Sequence, residues 1–114
     1  MAAIRRGEVW WVSFDRSRGG KIRKPRPAVV LSNDAANHAL NRVVVVPVSS
    51  QTAKIYPGEA RISVEGRPGK AMTDQIAAAS KERLKTRLAT LSPEDLQAVE
   101  EAVRFHLGFS GSPG

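Results

Sequence analysis

The sequence predicts a mainly β domain of the α+β class: a small, strongly bent antiparallel sheet with short helices and a C-terminal helix. Short valine-rich runs recur between glycine- and proline-rich segments, as in strands joined by turns. Apolar residues at clear helical spacing occur near the C-terminus. A length of 114 residues leaves room for one core, so we expect a single domain over residues 1–109 and a disordered tail at 110–114.

The N-terminal part predicts one strand and a loop. Residues 8–15 alternate loosely between apolar and polar types, with Val9, Trp11 and Phe14 as the candidates for the buried face. The following five residues, Arg-Ser-Arg-Gly-Gly, are rich in strand breakers and indicate a loop.

The next two strands carry most of the expected core. The prolines at 25 and 27 hold the residue before each in extended backbone, and residues 28–31 then form a short apolar run typical of a buried strand. Residues 33–41 are a polar connection with room for a helical turn. Residues 43–48 are the most apolar run and belong at the sheet centre. Pro47 cannot donate a ladder hydrogen bond, so it should mark a bulge or the strand's exit. Further strands are expected at 58–64, 70–79 and 85–91.

The C-terminal helix has clear start and stop signals. Ser92 is a suitable N-cap, Pro93 takes the first helical position, and Asp95 lies three residues after the cap. Gly108 is a natural stop. The stripe expected to pack on the sheet consists of Leu96, Val99, Val103 and Leu107.

Composition narrows the possible functions. The absence of cysteine excludes a disulfide framework, a thiolate metal site and a thiol nucleophile, and it fits a reducing cytosol. Neither a charged-then-apolar leader nor an apolar run near 20 residues is present, so we expect neither secretion nor membrane spanning. A net charge of +7 and a pI of about 10.6 suit a polyanionic partner.

The positive charge is concentrated near the N-terminus. Eight basic residues lie between positions 5 and 26, opposed by Glu8 and Asp15, whereas acidic residues outnumber basic ones from position 92 onward. This asymmetry favours phosphate binding at one end. A solvated loop accounts equally well for Arg16, Arg18 or Lys21 taken singly. The eight are Arg5, Arg6, Arg16, Arg18, Lys21, Arg23, Lys24 and Arg26.

Most catalytic chemistries lack the residues they need. His38 lies in the polar connection and suits a solvated position, and His106 lies beside the helical stripe, where a structural role is favoured. The sequence has no carboxylate–histidine cluster with metal-ligand spacing and no phosphate-cradling glycine motif. An enzyme built from this chain should therefore work without a metal ion, a cofactor or thiol chemistry.

Five short segments, in this order and spacing, together resemble the MazF/PemK-type toxins, the RNA-cleaving halves of toxin–antitoxin pairs. None is specific alone. They are Arg6-Gly7-Glu8-Val9-Trp10; residues 26–34, from Arg26-Pro27 to Asn33-Asp34; residues 43–50; Lys54-Ile55-Tyr56-Pro57-Gly58-Glu59; and Asp74-Gln75-Ile76.

The resemblance implies a fold, an activity and partners. It implies an SH3-like barrel that forms a homodimer in the cytoplasm. It further implies a metal-independent, cofactor-free endoribonuclease that cleaves single-stranded RNA at specific sequences. A MazE-type antitoxin would inhibit it.

Two catalytic residues are implied by the resemblance. Arg26 matches the family's motif arginine, and Ser49 stands where the family usually has threonine. RNA supplies its own nucleophile, the 2′-hydroxyl, so the protein must align it and stabilise charge on the phosphorus. We expect Arg26 to stabilise the transition state, because a guanidinium stays charged at any working pH. Ser49 would hydrogen-bond the scissile phosphate or the 2′-hydroxyl; otherwise it is a strand-end serine capping a turn.

Asp74 and Gln75 match a position used for substrate contacts in related toxins. Gln75 can read a base edge and Asp74 can accept from an exocyclic amine, although a solvated turn carboxylate is an equal interpretation. Trp10 and Trp11 should face opposite sides of their strand, one in the core and the other free to stack on a base or pack at a dimer interface. The expected RNA-binding set is Arg16, Arg18, Lys21, Arg23, Lys24, Asp74 and Gln75.

One segment departs from the family pattern, and two other functions compete. Ala77-Ala78-Ala79-Ser80 stands where relatives often carry an arginine and a carboxylate, which affects the expected substrate preference. The first competitor is a non-enzymatic gyrase poison like CcdB, but such chains lack the Arg26-Pro27 and Ser49 combination and end in a tryptophan-containing tail. The second is a plain SH3-like RNA-binding or adaptor module, which would need no polar pair at the strand exits.

Overall fold

The computed structural model describes residues 3–14 and 24–109. The predictions for the 16–20 loop, for Arg16, Arg18, Lys21 and Arg23, and for the tail at 110–114 lie outside the described residues. The strands are β1 (Glu8–Val12), β2 (Arg26–Val30), β3 (Arg42–Ser49), β4 (Glu59–Val64), β5 (Arg67–Met72), β6 (Ala77–Ser80) and β7 (Leu84–Thr90), and the helices are α1 (Asp34–Ala39) and α2 (Pro93–Leu107).

The described strands form one antiparallel, strongly curled sheet in the order β4-β5-β3-β2-β1-β7. β3 lies at its centre, as predicted, because β6 pairs with its first half and β5 with its last two residues. Pro47 lies between the part of β3 that pairs with β6 and the part that pairs with β5. At that point the missing N–H of proline breaks no hydrogen bond to either strand. The structure thus confirms the mainly β, SH3-like half-barrel with a C-terminal helix.

Both faces of the central strands are buried. One face packs Val9, Val29 and Val46 against α2, and the other packs Val12, Val30 and Val45 against β6 and the start of β7. Burial on both faces explains why β2 and β3 have continuous apolar runs.

One tryptophan is buried and the other exposed, as predicted, but Trp11, a candidate for the buried face, is the exposed one. Trp10 is buried and donates from Nε1 to Glu8 Oε1 at 3.0 Å, whereas Trp11 is 36% exposed. Trp10 packs on the second apolar face of β1, together with Val12. The expected pattern, in which Trp11 is buried and its neighbours are exposed, therefore does not hold. Phe14 lies beyond the strand, half-buried against that second face.

The helix α2 begins and ends as predicted. Ser92 Oγ accepts from the Asp95 amide at 3.1 Å, and Gly108 ends the helix with a φ of 72°. Val99 and Val103 are buried, and α2 packs on β4. The prediction for Leu107 was wrong: it is 46% exposed, because the last turn lies against Gly58 through His106 instead.

The segment predicted as strand over residues 70–79 is interrupted. A 3-10 turn at Thr73–Gln75 separates β5 from β6, and it is anchored where the Thr73 hydroxyl donates to the Gly58 carbonyl. Before it, β4 and β5 form a hairpin whose turn residues, Glu65 and Gly66, both have positive φ, as a type I′ turn requires. Neither helix in the described part of the chain is long and apolar enough to cross a membrane.

Candidate active site

Arg26 and Ser49 lie at facing ends of neighbouring strands. Arg26 is the first residue of β2 and Ser49 the last of β3, and both are half-buried. The pairing of β2 with β3 ends at Ala28–Pro47, and Arg26 and Ser49 each lie two residues beyond that last pair, at the same end of the sheet. The fold therefore places the two predicted catalytic residues, which lie 23 positions apart in the chain, at the same end of neighbouring strands.

Ser49 caps a turn as well. Its Oγ accepts a hydrogen bond from the Gln51 amide at 3.1 Å. A hydroxyl that accepts in this way keeps its own hydrogen to donate, so the oxygen is fixed in place and the donor stays available. Turn capping and phosphate binding are therefore compatible for this residue.

A groove of about 710 Å³ adjoins Ser49. Trp11 lies in it, so the exposed tryptophan presents its ring to whatever occupies the groove. β2 contributes Pro27 rather than Arg26, whose side chain alternates to the other face of the strand. Of the two predicted catalytic residues, Ser49 therefore lines the groove and Arg26 does not. Its lining residues are Trp11, Pro27, Val48, Ser49, Ser50, Val64, Glu65, Arg67, Pro68, Gly69 and Leu88.

Asp74 and Gln75 lie elsewhere. Both are exposed in the 3-10 turn that precedes β6, close to the strand start expected for them, and Gln75 Nε2 lies 3.7 Å from Met72 Sδ. Asp74 shares a shallow pocket with Tyr56 and His106, and Ser49 does not line that pocket. The structure therefore does not join this pair directly to the groove.

A buried ion pair lies between the groove at Ser49 and the pocket at Asp74. The Lys70 ammonium donates to Glu59 Oε1 at 3.0 Å and to the Lys54 carbonyl at 2.9 Å. Burial raises the pKa of the Glu59 carboxyl, but hydrogen bonds from the Tyr56 amide and from Lys70 outweigh it and leave the pKa below its ordinary value. Lys70 is also the direct β5 partner of Ser49.

Sequence reasoning missed Arg67 and Lys70. Arg67 stands among turn signals, yet it repeats the Arg-Pro pattern of Arg26-Pro27 at the start of a strand, which was an available signal. Lys70 stands in a run whose other members are small or apolar, and nothing local revealed that it is buried. Lys24 belongs to the predicted basic cluster and lies within the described residues. It is exposed, just before β2 and close in sequence to Arg26.

Two other motif residues have structural roles. Asn33 Oδ1 accepts from the Ala35 amide at 2.7 Å and caps α1. Asp34 Oδ1 accepts from the Arg6 amide at 2.7 Å, and this bond, with one from Asn37, lowers the pKa of Asp34. His38 is exposed on the same helix.

Comparison with known proteins identifies the family. Residues 5–107 match the family described as PemK-like, MazF-like toxins of type II toxin–antitoxin systems. Endoribonuclease MazF9 of Mycobacterium tuberculosis is 38% identical over 91% of this chain and 96% of its own length. Endoribonuclease toxin MazF of Escherichia coli K12 is 35% identical over 90% and 92%. A solved MazE–MazF structure from Deinococcus radiodurans superposes with a TM-score of 0.76 at 28% identity, covering 96% of this chain and all of its counterpart.

The curled half-barrel is thus the fold of a toxin, and the chain belongs to the PemK-like, MazF-like toxin family. Membership confirms the resemblance seen in the five segments. It favours RNA cleavage over a CcdB-like gyrase poison or a plain adaptor module.

Proposed function

We propose that this chain is a metal-independent endoribonuclease that cleaves single-stranded RNA at specific sequences, with Arg26 and Ser49 as its catalytic residues. The observation that carries the proposal is the placement of Arg26 and Ser49 at the same end of paired strands, with Ser49 lining a groove that contains an exposed tryptophan. Family membership supports it, since the relatives from Mycobacterium tuberculosis and Escherichia coli are named endoribonucleases.

The two side chains divide the work of phosphate chemistry. The 2′-hydroxyl of RNA attacks the adjacent phosphorus and gives up its proton to water, while the bond from phosphorus to the 5′-oxygen of the next nucleotide breaks and that oxygen takes a proton from water. Negative charge grows on the phosphate oxygens during this step. Arg26 donates two parallel hydrogen bonds to those oxygens from a planar fork of fixed charge. Ser49 donates to the scissile phosphate or to the 2′-hydroxyl from an oxygen already fixed by the Gln51 amide. No step in this scheme needs a metal ion.

The groove supplies the RNA-binding surface. Trp11 offers a flat ring on which a base can stack, a contact worth about 1–3 kcal/mol for single-stranded nucleic acid. Arg67 adds a cation at the rim. The predicted contacts from Arg16, Arg18, Lys21, Arg23 and Lys24 extend this surface toward the phosphates. Asp74, in the pocket around Tyr56, and the neighbouring Gln75 form a second contact area further along the strand of RNA.

The proposed function requires control. An active ribonuclease would harm its own cell, so we propose a MazE-type antitoxin, a homodimeric toxin and a cytoplasmic location, where messenger RNA is translated. A relative is known in a MazE–MazF complex. An extended acidic peptide with aromatic residues can occupy a groove that carries Trp11 and Arg67, because carboxylates replace phosphates and aromatic rings replace bases.

The proposal is tested by incubating the purified chain with a long single-stranded RNA in excess EDTA. Discrete fragments should form, and the Arg26→Ala variant should cut roughly 100-fold or more slowly, the size of loss seen when one transition-state donor is removed. Arg42→Ala is the matched control, because Arg42 is exposed at the opposite end of β3 from Ser49. Intact RNA with the unmodified chain, or equal rates for the two variants, would contradict the proposal.

A further inference from the structure

Lys70 is an unusual side chain for its position. It lies in β5 between Gly69 and Ala71, which are buried, and its own side chain is only 10% exposed. Placing an ammonium there is unfavourable unless its hydrogens are all accommodated, and a methionine would fill the same space without that requirement. The residue therefore calls for a reason beyond packing.

The three ammonium hydrogens have three acceptors around them. Glu59 Oε1 lies at 3.0 Å, the Lys54 carbonyl oxygen at 2.9 Å, and the centre of the Tyr56 ring at 5.3 Å, within cation–π range. Glu59 Oε1 also accepts from the Tyr56 amide at 2.7 Å. Two of these partners, Lys54 and Tyr56, belong to the segment of residues 50–57.

This 50–57 segment comes directly after Ser49 and is neither helix nor strand. Its first turn is held where the Gln51 amide donates to Ser49 Oγ, and its middle is held by the Lys70 ammonium at the Lys54 carbonyl. The orientation of the Ser49 hydroxyl therefore depends on where residue 51 lies, and residue 51 lies on a segment that Lys70 fixes three residues later.

We infer that Lys70 is a positioning residue for RNA cleavage: its buried ammonium fixes the 50–57 segment and thereby the Ser49 hydroxyl. The inference rests on the proposed function. Loosening the segment leaves Trp11 and Arg67 of the groove in place, so the loss should fall on the rate of cleavage of bound RNA more than on RNA affinity.

The primary test is the Lys70→Met substitution, which removes the charge of the side chain but keeps its approximate volume. Single-turnover cleavage of a long single-stranded RNA, followed over a range of enzyme concentrations, yields the maximal rate and the half-saturating concentration. We expect the maximal rate to fall at least roughly 10-fold and the half-saturating concentration to change less than about 3-fold, as a misplaced catalytic group predicts. Arg61→Met is the matched control, because Arg61 pairs with Lys70 across β4 and β5 and is exposed.

Trypsin gives a second readout that does not depend on activity. It cuts the Lys54–Ile55 bond, whose carbonyl is the one that Lys70 binds. Mass spectrometry should show faster nicking at Lys54 in Lys70→Met than in the unmodified chain or in Arg61→Met. If Lys70→Met does not fold, Glu59→Gln is used instead. We then expect a smaller fall in the maximal cleavage rate and a smaller increase in nicking at Lys54.

The outcomes are distinct. An unmodified chain that leaves RNA intact overturns the proposed function and this role with it. If the unmodified chain cuts and Lys70→Met matches Arg61→Met in maximal rate, the positioning role is overturned, even if nicking is faster. The same holds if Glu59→Gln, used in its place, matches the unmodified chain in both measurements.

Discussion

Two Arg-Pro pairs begin strands in this protein, and their surroundings differ. Arg26-Pro27 opens β2 and Arg67-Pro68 opens β5, and both prolines line the same groove. Arg26 is half-buried and lies at the same end of the sheet as Ser49, whereas Arg67 is exposed and itself lines the groove beside Glu65. The dipeptide is the same in the two places, but the surroundings of the two guanidinium groups differ.

The difference indicates that the sheet register, rather than the dipeptide, makes the candidate catalytic pair. A proline fixes the residue before it in extended backbone in both cases. The surroundings of each arginine are then set by the neighbouring strand: β3 ends in Ser49 at the sheet end where β2 begins, while Arg67 lies across the β4–β5 hairpin from Val64. We therefore expect Arg26 to act on the reacting phosphate and Arg67 to attract a phosphate without taking part in the reaction.

The sharpest test of this comparison is arginine-to-lysine substitution at both positions. Lysine keeps the charge but loses the planar fork. Arg26→Lys should lower the maximal single-turnover cleavage rate roughly 30-fold or more, because two parallel hydrogen bonds become one. Arg67→Lys should change that rate less than about 3-fold, since a point charge suffices for phosphate attraction. Equal losses at both positions would remove the distinction between the two arginines.

The Ser49 hydroxyl should matter next most. Ser49→Ala should lower the maximal cleavage rate about 10-fold or more by removing a donor at the phosphate, and Ser49→Thr should stay active because the hydroxyl remains. Ser63→Ala removes an exposed hydroxyl from β4 and serves as the control. A threonine variant as slow as the alanine variant would show that shape, rather than the hydroxyl, decides the rate.

Arg67 should make its contribution through salt-dependent affinity. Arg67→Ala should weaken RNA binding a few-fold at moderate salt and should reduce the slope of log affinity against log salt by about 0.7, the value for one phosphate contact on single strands. Fluorescence anisotropy with a labelled RNA at several salt concentrations measures both. An unchanged slope would show that Arg67 does not contact a phosphate.

The smallest expected effect is a pH-dependent change in stability from Glu59. Its folded-state pKa lies below the ordinary value of 4.5, so its ionised form stabilises the fold above that pH, and the contribution is lost as pH falls through the lower folded value. The gap in unfolding temperature between the unmodified chain and Glu59→Gln should therefore be larger at about pH 7 than at about pH 3. Glu82→Gln, which removes an exposed carboxylate, controls for general loss of charge. A gap that widens in acid would contradict this assignment.

Much of the fold could be predicted because its signals are local. The Ser92 cap, the proline at 93 and the stop at Gly108 bound α2 as predicted, and the valine run placed β3 at the sheet centre. The two wrong predictions of burial have one cause. Trp11 and Leu107 were assigned to the core from periodicity alone, but the second apolar face of β1 and the approach of Gly58 to His106 decided their exposure.

The sequence by itself determined the family, the toxin fold and the identity of Arg26 and Ser49 as candidates, because ordered motifs and caps are written in neighbouring residues. The tertiary structure decided which groups lie together: Arg26 and Ser49 at the same end of β2 and β3, Trp11 and Arg67 in one groove, and Lys70 with Glu59 and the Lys54 carbonyl. These contacts depend on strand register and on curling of the sheet. Both are set by long-range packing of two apolar faces, and no window of local sequence encodes them.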